Sequence, residues 1–322
     1  MTQDGQYIAG RHWASLEWVR TNGMPYPAPV AALGTFDGVH LGHRAIVERA
    51  ASMARALGGT PMALTFDRHP ADVIPGRPRV PLLTDLEERL ELLVDAGARL
   101  CVVATFDAEF ARLEPEQFIE DILVGTLGIR GAVCGNDFRF GRGAAGDAGL
   151  LRRWGEKLGF QVAVVEPVLR DGQRVSSSAI RDRLARGDVE GAAALLGRPY
   201  SLAGTVVPGR GQGRELGFPT ANVAPDPRRL LPGDGVYIAR ALGAGLREGG
   251  HPALAVVSTR PTFGVHPRSL EVHLLDFSGD LYGRRLRVVF HRFLRGIVAF
   301  SGLEALREQI GRDVAMAREH VG

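Results

Sequence analysis

Apolar and polar positions follow one rhythm in the first part of the chain and another in the second. Between Pro29 and about Arg186, short apolar runs at Pro29–Leu33, Pro61–Phe66, Arg99–Phe106, Gly131–Gly135 and Phe160–Val168 read as buried strands. Helices fall between them, over His43–Leu57, Leu86–Ala96, Pro115–Thr126 and Gly149–Leu158. Thr84 with Glu87 predicts a capping box for the second helix, and Pro115 suits the first turn of the third. Strands alternating with helices predict an α/β fold, a doubly wound parallel sheet with ligands at the carboxyl ends of its strands.

Beyond Gly187 a short helix at Asp188–Leu196 is followed by strands in succession: Ser201–Val207, Gly235–Leu242, Ala253–Ser258, Ser269–Phe277 and Leu286–Leu294. Short strands with little helix predict a β-barrel or sandwich. A last helix opens with a second capping box, Ser301 and Glu304, and runs to about Arg318. The expected domains are therefore 1–187 and 188–322.

A chain of 322 residues accommodates two such domains, and its 45% apolar and 23% charged content is that of a globular protein. No apolar run approaches the roughly 18 residues of a membrane span, and Met1–Arg20 does not read as a signal peptide. Cys101 and Cys134 lie in apolar runs as core thiols, which suits a reducing, cytoplasmic setting. Lys157 is the only lysine, and it sits in Trp-Gly-Glu-Lys-Leu-Gly. That excludes a Walker loop, a protein kinase and a pyridoxal enzyme, each of which needs a lysine elsewhere. Any ATP chemistry here falls to arginine, histidine, backbone and metal.

The first chemical candidate is the turn Gly34-Thr-Phe-Asp-Gly-Val-His-Leu-Gly-His43, between the first strand and the first helix. Its glycines permit a sharp turn and a close ligand, and the helix start supplies N–H groups and dipole for an anion. His40 and His43, three apart, can both face one bound group. Two imidazoles there suit the charge that develops when a phosphate is attacked. A metal pair is disfavoured, because no third ligand stands at a usual spacing.

Three further stretches are placed to converge on this turn: Thr65-Phe-Asp-Arg-His-Pro70, Gly135-Asn-Asp-Phe-Arg-Phe-Gly141 and Ser176-Ser-Ser-Ala-Ile-Arg181. Gly141-Arg-Gly-Ala-Ala-Gly146, with Glu166 beyond it, also matches a dinucleotide fingerprint, but five residues separate its first glycine from the strand end at Gly135. In the second domain, Gly209, Gly211, Gly213 and Gly217 form an arch able to wrap phosphates. Thr220 and Asn222 offer two oxygens on one side of an extended chain, suited to Mg²⁺. Glu271 alternates with Leu270 and Val272 on a strand, either as its polar face or as a base.

The first turn resembles, residue for residue, the His-x-Gly-His signature of the nucleotidyltransferase superfamily. In full it looks like the bacterial FAD synthetases, the bifunctional riboflavin kinase/FMN adenylyltransferases. Thr-Phe-x-x-His-Pro, Gly-x-Asp-Phe-x-Phe-Gly and Ser-Ser-x-x-Ile-Arg occur there in this order, with Ser178 here for the usual threonine. The resemblance implies an N-terminal nucleotidyltransferase domain in which His40, His43 and Arg181 are catalytic and Gly34, Phe36, Asp37, Gly42, Ser177 and Ser178 bind ATP. Phe66, His69, Asp137 and Phe138 would lie near flavin or nucleotide. Gly-Arg-x-Leu-Gly-Phe-Pro-Thr-Ala-Asn and Leu-Glu-Val-His-Leu-Leu-Asp-Phe resemble the riboflavin kinase barrel. There Thr220 and Asn222 would hold Mg²⁺ and ATP, the Gly209–Gly217 arch ATP, Arg295 the flavin edge, and Glu271 would be the base.

Departures from the family pattern all fall on the kinase side: Pro208, Ala255-Val-Val-Ser258, and Ile297 and Ala299 in place of charged residues. They leave a second reading, an FMN adenylyltransferase whose barrel is a weak kinase or flavin sensor. A third, an arginine-rich barrel binding nucleic acid or a regulator, lacks an aromatic stacking stripe. The expected partners are ATP, riboflavin and FMN, with neither nucleic acid nor membrane.

Overall fold

The computed structural model describes residues 12–74, 76, 78–209, 213, 217–259 and 268–321. The chain forms two compact units, Met1–Ser176 and Ser177–Gly322.

In the first unit, six parallel strands form one sheet. They are β1 (Trp13–Ser15), β2 (Pro29–Leu33), β3 (Thr60–Phe66), β4 (Leu100–Ala104), β5 (Gly131–Gly135) and β6 (Gln161–Val165), in the order β1-β4-β3-β2-β5-β6. Every residue of β2 and β4 is buried, which is why both read as unbroken apolar runs. Their side chains still alternate between two layers. Ala31 and Leu33 face the layer of Phe118, Ile119, Ile122 and Leu151, whereas Val30 and Ala32 face that of Ile46, Val47, Leu90 and Leu93. Burying each such aliphatic side chain contributes roughly 1.5–3 kcal/mol.

Helices cover both faces: α1 (Leu16–Asn22), α2 (Leu41–Ala56), α3 (Leu86–Asp95), α4 (Pro115–Gln117) and α5 (Ala148–Leu158). Beyond α4 the chain winds as a π-helix over Phe118–Thr126, and this wider turn brings Phe118, Ile119, Ile122 and Leu123 together into the core. Strand order reverses at β2: the chain steps through β3 and β4 on one side and through β5 and β6 on the other. Such a reversal opens a crevice outside the carboxyl ends of β2 and β5. The loop after β2 ends at His40, with His43 in the first turn of α2, and the loop after β5 carries Asp137 and Phe138.

The second unit begins with α6 (Ser177–Ala185) and α7 (Val189–Leu196) and closes a barrel of six antiparallel strands. These are β7 (Tyr200–Val207), β8 (Ala221–Pro225), β9 (Gly235–Leu242), β10 (His251–Ser258), β11 (Ser269–Leu274) and β12 (Arg285–Arg295), ordered β7-β8-β11-β10-β9-β12. Closure leaves no edge strand with unpaired backbone. Tyr237 is fully buried, edge-on to Phe290 and Phe293, and its hydroxyl donates to the Gly233 carbonyl. Burial pushes that hydroxyl up to about 12. The final helix, α8 (Leu303–Val321), lays Val314 and Ala317 on Val236, Ile238 and Leu254.

Two expected caps are corrected. Asp85, not Thr84, caps α3, accepting from Glu88 N at 2.8 Å, because the Thr84 hydroxyl is engaged by Asp37. α8 starts at Leu303, so Ser301 lies one residue ahead of the cap position. The dinucleotide fingerprint is also overturned. Residues 139–147 form a small antiparallel pair, Arg139↔Asp147 and Phe140↔Gly146, rather than a loop leading from a sheet strand into a helix.

Both cysteines are fully buried, and burial pushes their thiols up, to about 12 for Cys101 and about 11 for Cys134. With a pKa of about 12, roughly one Cys101 in ten thousand is thiolate at pH 8, and the thiolate is the reactive form. Neither cysteine should react with a thiol reagent at pH 8 until denaturant is added, when both should. A fast-reacting thiol in the native protein would contradict this packing.

Candidate active sites

The chain leaves β2 at Leu33 and enters α2 at Leu41 through a loop whose polar groups point inward. Asp37 is 3% exposed. It accepts hydrogen bonds from Leu83 N at 3.0 and 3.1 Å, from Thr84 N at 3.0 Å and from Thr84 Oγ1 at 3.2 Å. Gly38 N in turn donates to Thr84 Oγ1 at 3.0 Å. Asp37 and the fully buried Phe36, both expected to bind ATP, therefore turn their side chains inward. That placement leaves their backbone for a ligand. Phe36 (φ 54°) and Val39 (φ 38°) take left-handed conformations that side-chain-bearing residues rarely adopt.

His40 caps α2. Its Nδ1 accepts from His43 N at 3.2 Å, so that nitrogen carries no proton and Nε2–H is left as the donor. The His43 ring stacks on His40 with centroids 3.6 Å apart and meets the Phe36 ring in a T-shaped contact at 5.3 Å. A Cβ on Gly42 would lie 3.2 Å from both Nδ1 and Cε1 of His40, so the glycine lets the ring sit close. Two stacked imidazoles at a helix N-terminus make a candidate anion site at the reversal point of the sheet.

The other predicted residues of this unit serve nearby structure. Phe66 packs against Phe106 and Phe110, and His69 caps a short turn by accepting from Ala71 N at 3.1 Å. Asp137 pairs with Arg174, and Phe138 stacks on Phe140. Ser177, Ser178 and Arg181 lie on α6, the first helix of the second unit, with Arg181 one turn from the start.

In the barrel, Asn222 on β8 stands opposite Glu271 on β11, and Thr220 Oγ1 is 3.4 Å from Glu271 Oε2. Thr220, Asn222 and Glu271 are thus brought together. Two glycines of the arch close over them. A Cβ on Gly209 would lie 2.0 Å from Asn222 Nδ2, and one on Gly213 would lie 3.1 Å from Thr220 Oγ1 and 2.5 Å from the Phe218 carbonyl. A side chain at Gly209 would push the Asn222 amide aside, and one at Gly213 would meet backbone. Gly217 has φ 85°, and Gly211 lies outside the described residues. The same holds for the Arg260–Phe263 run, which resembles the family's Arg-Pro-Thr-Phe.

The row of opposed residues continues from Glu271 to Val256, Val236 and Arg295. Arg295 does not meet Glu271. Its guanidinium grips Asp313 of α8 through Nε (3.0 Å) and Nη2 (2.7 Å) and donates to the Gly296 carbonyl at 3.1 Å. The Asp313 side chain is 2% exposed, and Gln309 completes its shell at 2.9 Å. Arg295 thereby holds the 296–300 segment and α8 to the barrel. In that segment Ile297 and Val298 are about half exposed.

Sequence reasoning missed Arg89 and Asp313 and read Thr84 only as a helix cap. Arg89 carried a signal, since it falls on the apolar stripe of α3 with Leu86, Leu90 and Leu93. Thr84 carried none, lying 47 residues from Asp37. Among the described residues no group of three His, Cys, Asp or Glu side chains could hold a metal ion, and no helix is long and apolar enough to cross a membrane.

The FAD synthetase family matches residues 26–179 and the Riboflavin kinase family residues 196–321. A bifunctional riboflavin kinase/FMN adenylyltransferase of Escherichia coli K12 is 39% identical over 298 residues, 92% of this chain and 94% of the relative. The protein of that name from Bacillus subtilis is 36% identical, over 88% of this chain and 90% of its own length. A solved structure described as a macrolide-efflux protein from Streptococcus pneumoniae aligns over 96% of this chain and 99% of its own, with a TM-score of 0.84 and 27% identity. Both families and both relatives agree with each other and differ from that description.

Replacing Asp37 by Asn removes one acceptor oxygen and faces a donor toward the N–H of Leu83. Thermal or denaturant unfolding should show a loss of about 2 kcal/mol. An unchanged midpoint would mean the clamp contributes nothing.

Proposed function

Because the chain belongs to the family of bifunctional riboflavin kinase/FMN adenylyltransferases, we propose a division of labour between its two units. The protein phosphorylates riboflavin to FMN and adenylylates FMN to FAD. The first reaction is assigned to the barrel and the second to the parallel-sheet unit. The observation that carries the assignment is that two unlike phosphate-handling constellations stand in one chain, stacked His40/His43 in one unit and Thr220/Asn222/Glu271 in the other.

For the kinase reaction, Glu271 is the base that takes the proton from the terminal ribityl hydroxyl as its oxygen attacks the γ-phosphorus. The bond from that phosphorus to the β-phosphate oxygen breaks and ADP leaves. Gly209, Gly213 and Gly217 bring backbone N–H groups to the phosphates. Thr220 and Asn222 offer a hydroxyl and an amide oxygen beside the Glu271 carboxylate, a set of hard oxygens that suits Mg²⁺. When bound, Mg²⁺ supplies neutralisation of phosphate charge. Arg295 sets the flavin edge by holding the 296–300 segment.

For adenylyl transfer, a phosphate oxygen of FMN attacks the α-phosphorus of ATP and pyrophosphate leaves. His40 and His43 donate to the oxygens on which charge builds, with the N-terminus of α2 adding its dipole. Phe66, His69, Asp137 and Phe138 are assigned to the flavin or nucleotide side. The partners are small molecules, and the setting is the cytoplasm.

Incubating the protein with riboflavin, ATP and Mg²⁺ should yield FAD. FMN converted while riboflavin stays untouched would overturn the barrel's assignment. His43→Ala should lower FAD formation from FMN at least a hundredfold and leave FMN formation within twofold. Glu271→Ala should do the reverse, and loss of both activities in either variant would contradict two separate sites. In Gly209→Ala the added methyl displaces the Asn222 amide, so the kinase KM for ATP should rise at least tenfold while FAD formation from FMN holds. A normal kinase KM would show that the glycine is not needed for that approach.

A further inference from the structure

Arg89 is a charged residue in the interior of the first unit, 4% exposed, on the face of α3 that carries Leu86, Leu90 and Leu93. A guanidinium stays charged at any working pH, and taking it out of water is costly unless its donors are used. Its Nη1 donates to the Thr35 carbonyl at 2.8 Å and lies 3.4 Å from Thr65 Oγ1. The Thr65 hydroxyl donates to the same carbonyl at 3.0 Å. One loop carbonyl thus accepts from side chains on two elements, β3 and α3.

The orientation of that carbonyl has a consequence one residue on. The Thr35–Phe36 peptide is trans, so fixing its C=O toward Arg89 fixes the Phe36 N–H on the opposite side. Phe36 then takes its left-handed conformation, with its ring edge-on to His43 at 5.3 Å. A connected path therefore runs from Arg89 through the Thr35 carbonyl and Phe36 to the stacked histidines.

We propose that Arg89 is a positioning residue for adenylyl transfer, holding the Thr35–Phe36 peptide so that Phe36 braces His43 and the loop keeps its phosphate-binding shape. It also places a permanent positive charge beneath a loop that receives phosphate, where low dielectric strengthens its effect. The proposal rests on the assignment of adenylyl transfer to this unit.

The test uses the full chain, with the kinase reaction as an internal control for the barrel and denaturant unfolding as the control for the first unit. Arg89→Met keeps length and removes charge and donors. It should lower kcat for FMN-to-FAD conversion at least tenfold and raise KM for ATP at least threefold, with riboflavin phosphorylation within twofold. Thr65→Val removes the second donor and should move both constants the same way by less. Arg89→Met with kcat and KM within twofold of the parent would overturn the proposal. So would a fall in kcat at unchanged KM that matches the unfolded fraction, since a merely space-filling residue gives that pattern. If Arg89→Met does not fold, Thr65→Val decides, and unchanged constants there overturn the proposal. A parent protein that makes no FAD from FMN would sink the assignment of adenylyl transfer itself, a distinguishable result.

Discussion

The first unit is organised by one constraint. A strand buried on both faces must hand its chain to a helix through a loop that keeps its own polar groups satisfied and its far side open for phosphate. Buried backbone without partners is expensive, and left-handed residues other than glycine add strain of order 1–3 kcal/mol each. The loop after β2 has two of them, Phe36 and Val39. What offsets them is a set of inward side-chain contacts: Asp37 to Leu83 and Thr84, Gly38 to Thr84, and Arg89 and Thr65 to Thr35. The helix start is thereby held with His40 as cap and His43 stacked on it.

The barrel solves a different problem by register. Side chains alternate along a strand, so a shift of one residue would turn Glu271 into the interior and expose Leu270 and Val272. Both of those are buried, and the alternation locks Glu271 onto the outer row with Asn222, Val256 and Val236. The apolar pattern that makes the core thus also aims the Glu271 carboxylate, the proposed base. Glycine then decides how close the arch can come. A Cβ at Gly209 would stand only 2.0 Å from the Asn222 amide nitrogen, so no larger residue leaves that amide where it is.

Much of this was legible in the chain. β2 and β5 came out with the expected bounds, because each is a continuous apolar run stopped by glycine or a polar turn. β1 and β8 were not foreseen. β1 has three residues and no alternation to read, and β8 ends in Pro225, which argues against a strand until closure of the barrel supplies its partners. The cap of α3 was misplaced by one residue because Thr84 and Asp85 are both good caps, and only a carboxylate 47 residues away decides between them. Long-range pairing of this kind leaves no local trace. Arg89 did leave one, a charge within an apolar stripe, whose meaning depends on the carbonyl it reaches.

The single lysine ties these points together. Lys157 lies on α5 with its ammonium 3.9 Å from the ring centre of Trp154, and it belongs to neither constellation. On the proposed assignment both sites stabilise phosphate charge without lysine, and they do so differently. The parallel-sheet unit offers imidazoles, a helix N-terminus and a buried guanidinium, each held by contacts of the loop itself. Such preorganisation suits attack at an α-phosphorus, where charge moves onto a pyrophosphate leaving group. The barrel uses a glycine arch, paired hard oxygens and a carboxylate. That set suits an alcohol nucleophile, which must lose a proton before or during attack, as a phosphate monoester need not. The carboxylate of the histidine loop, Asp37, is spent on clamping residues 83 and 84, whereas Glu271 stands beside Thr220 and Asn222. The different placement of the two carboxylates matches the two nucleophiles of the proposed reactions.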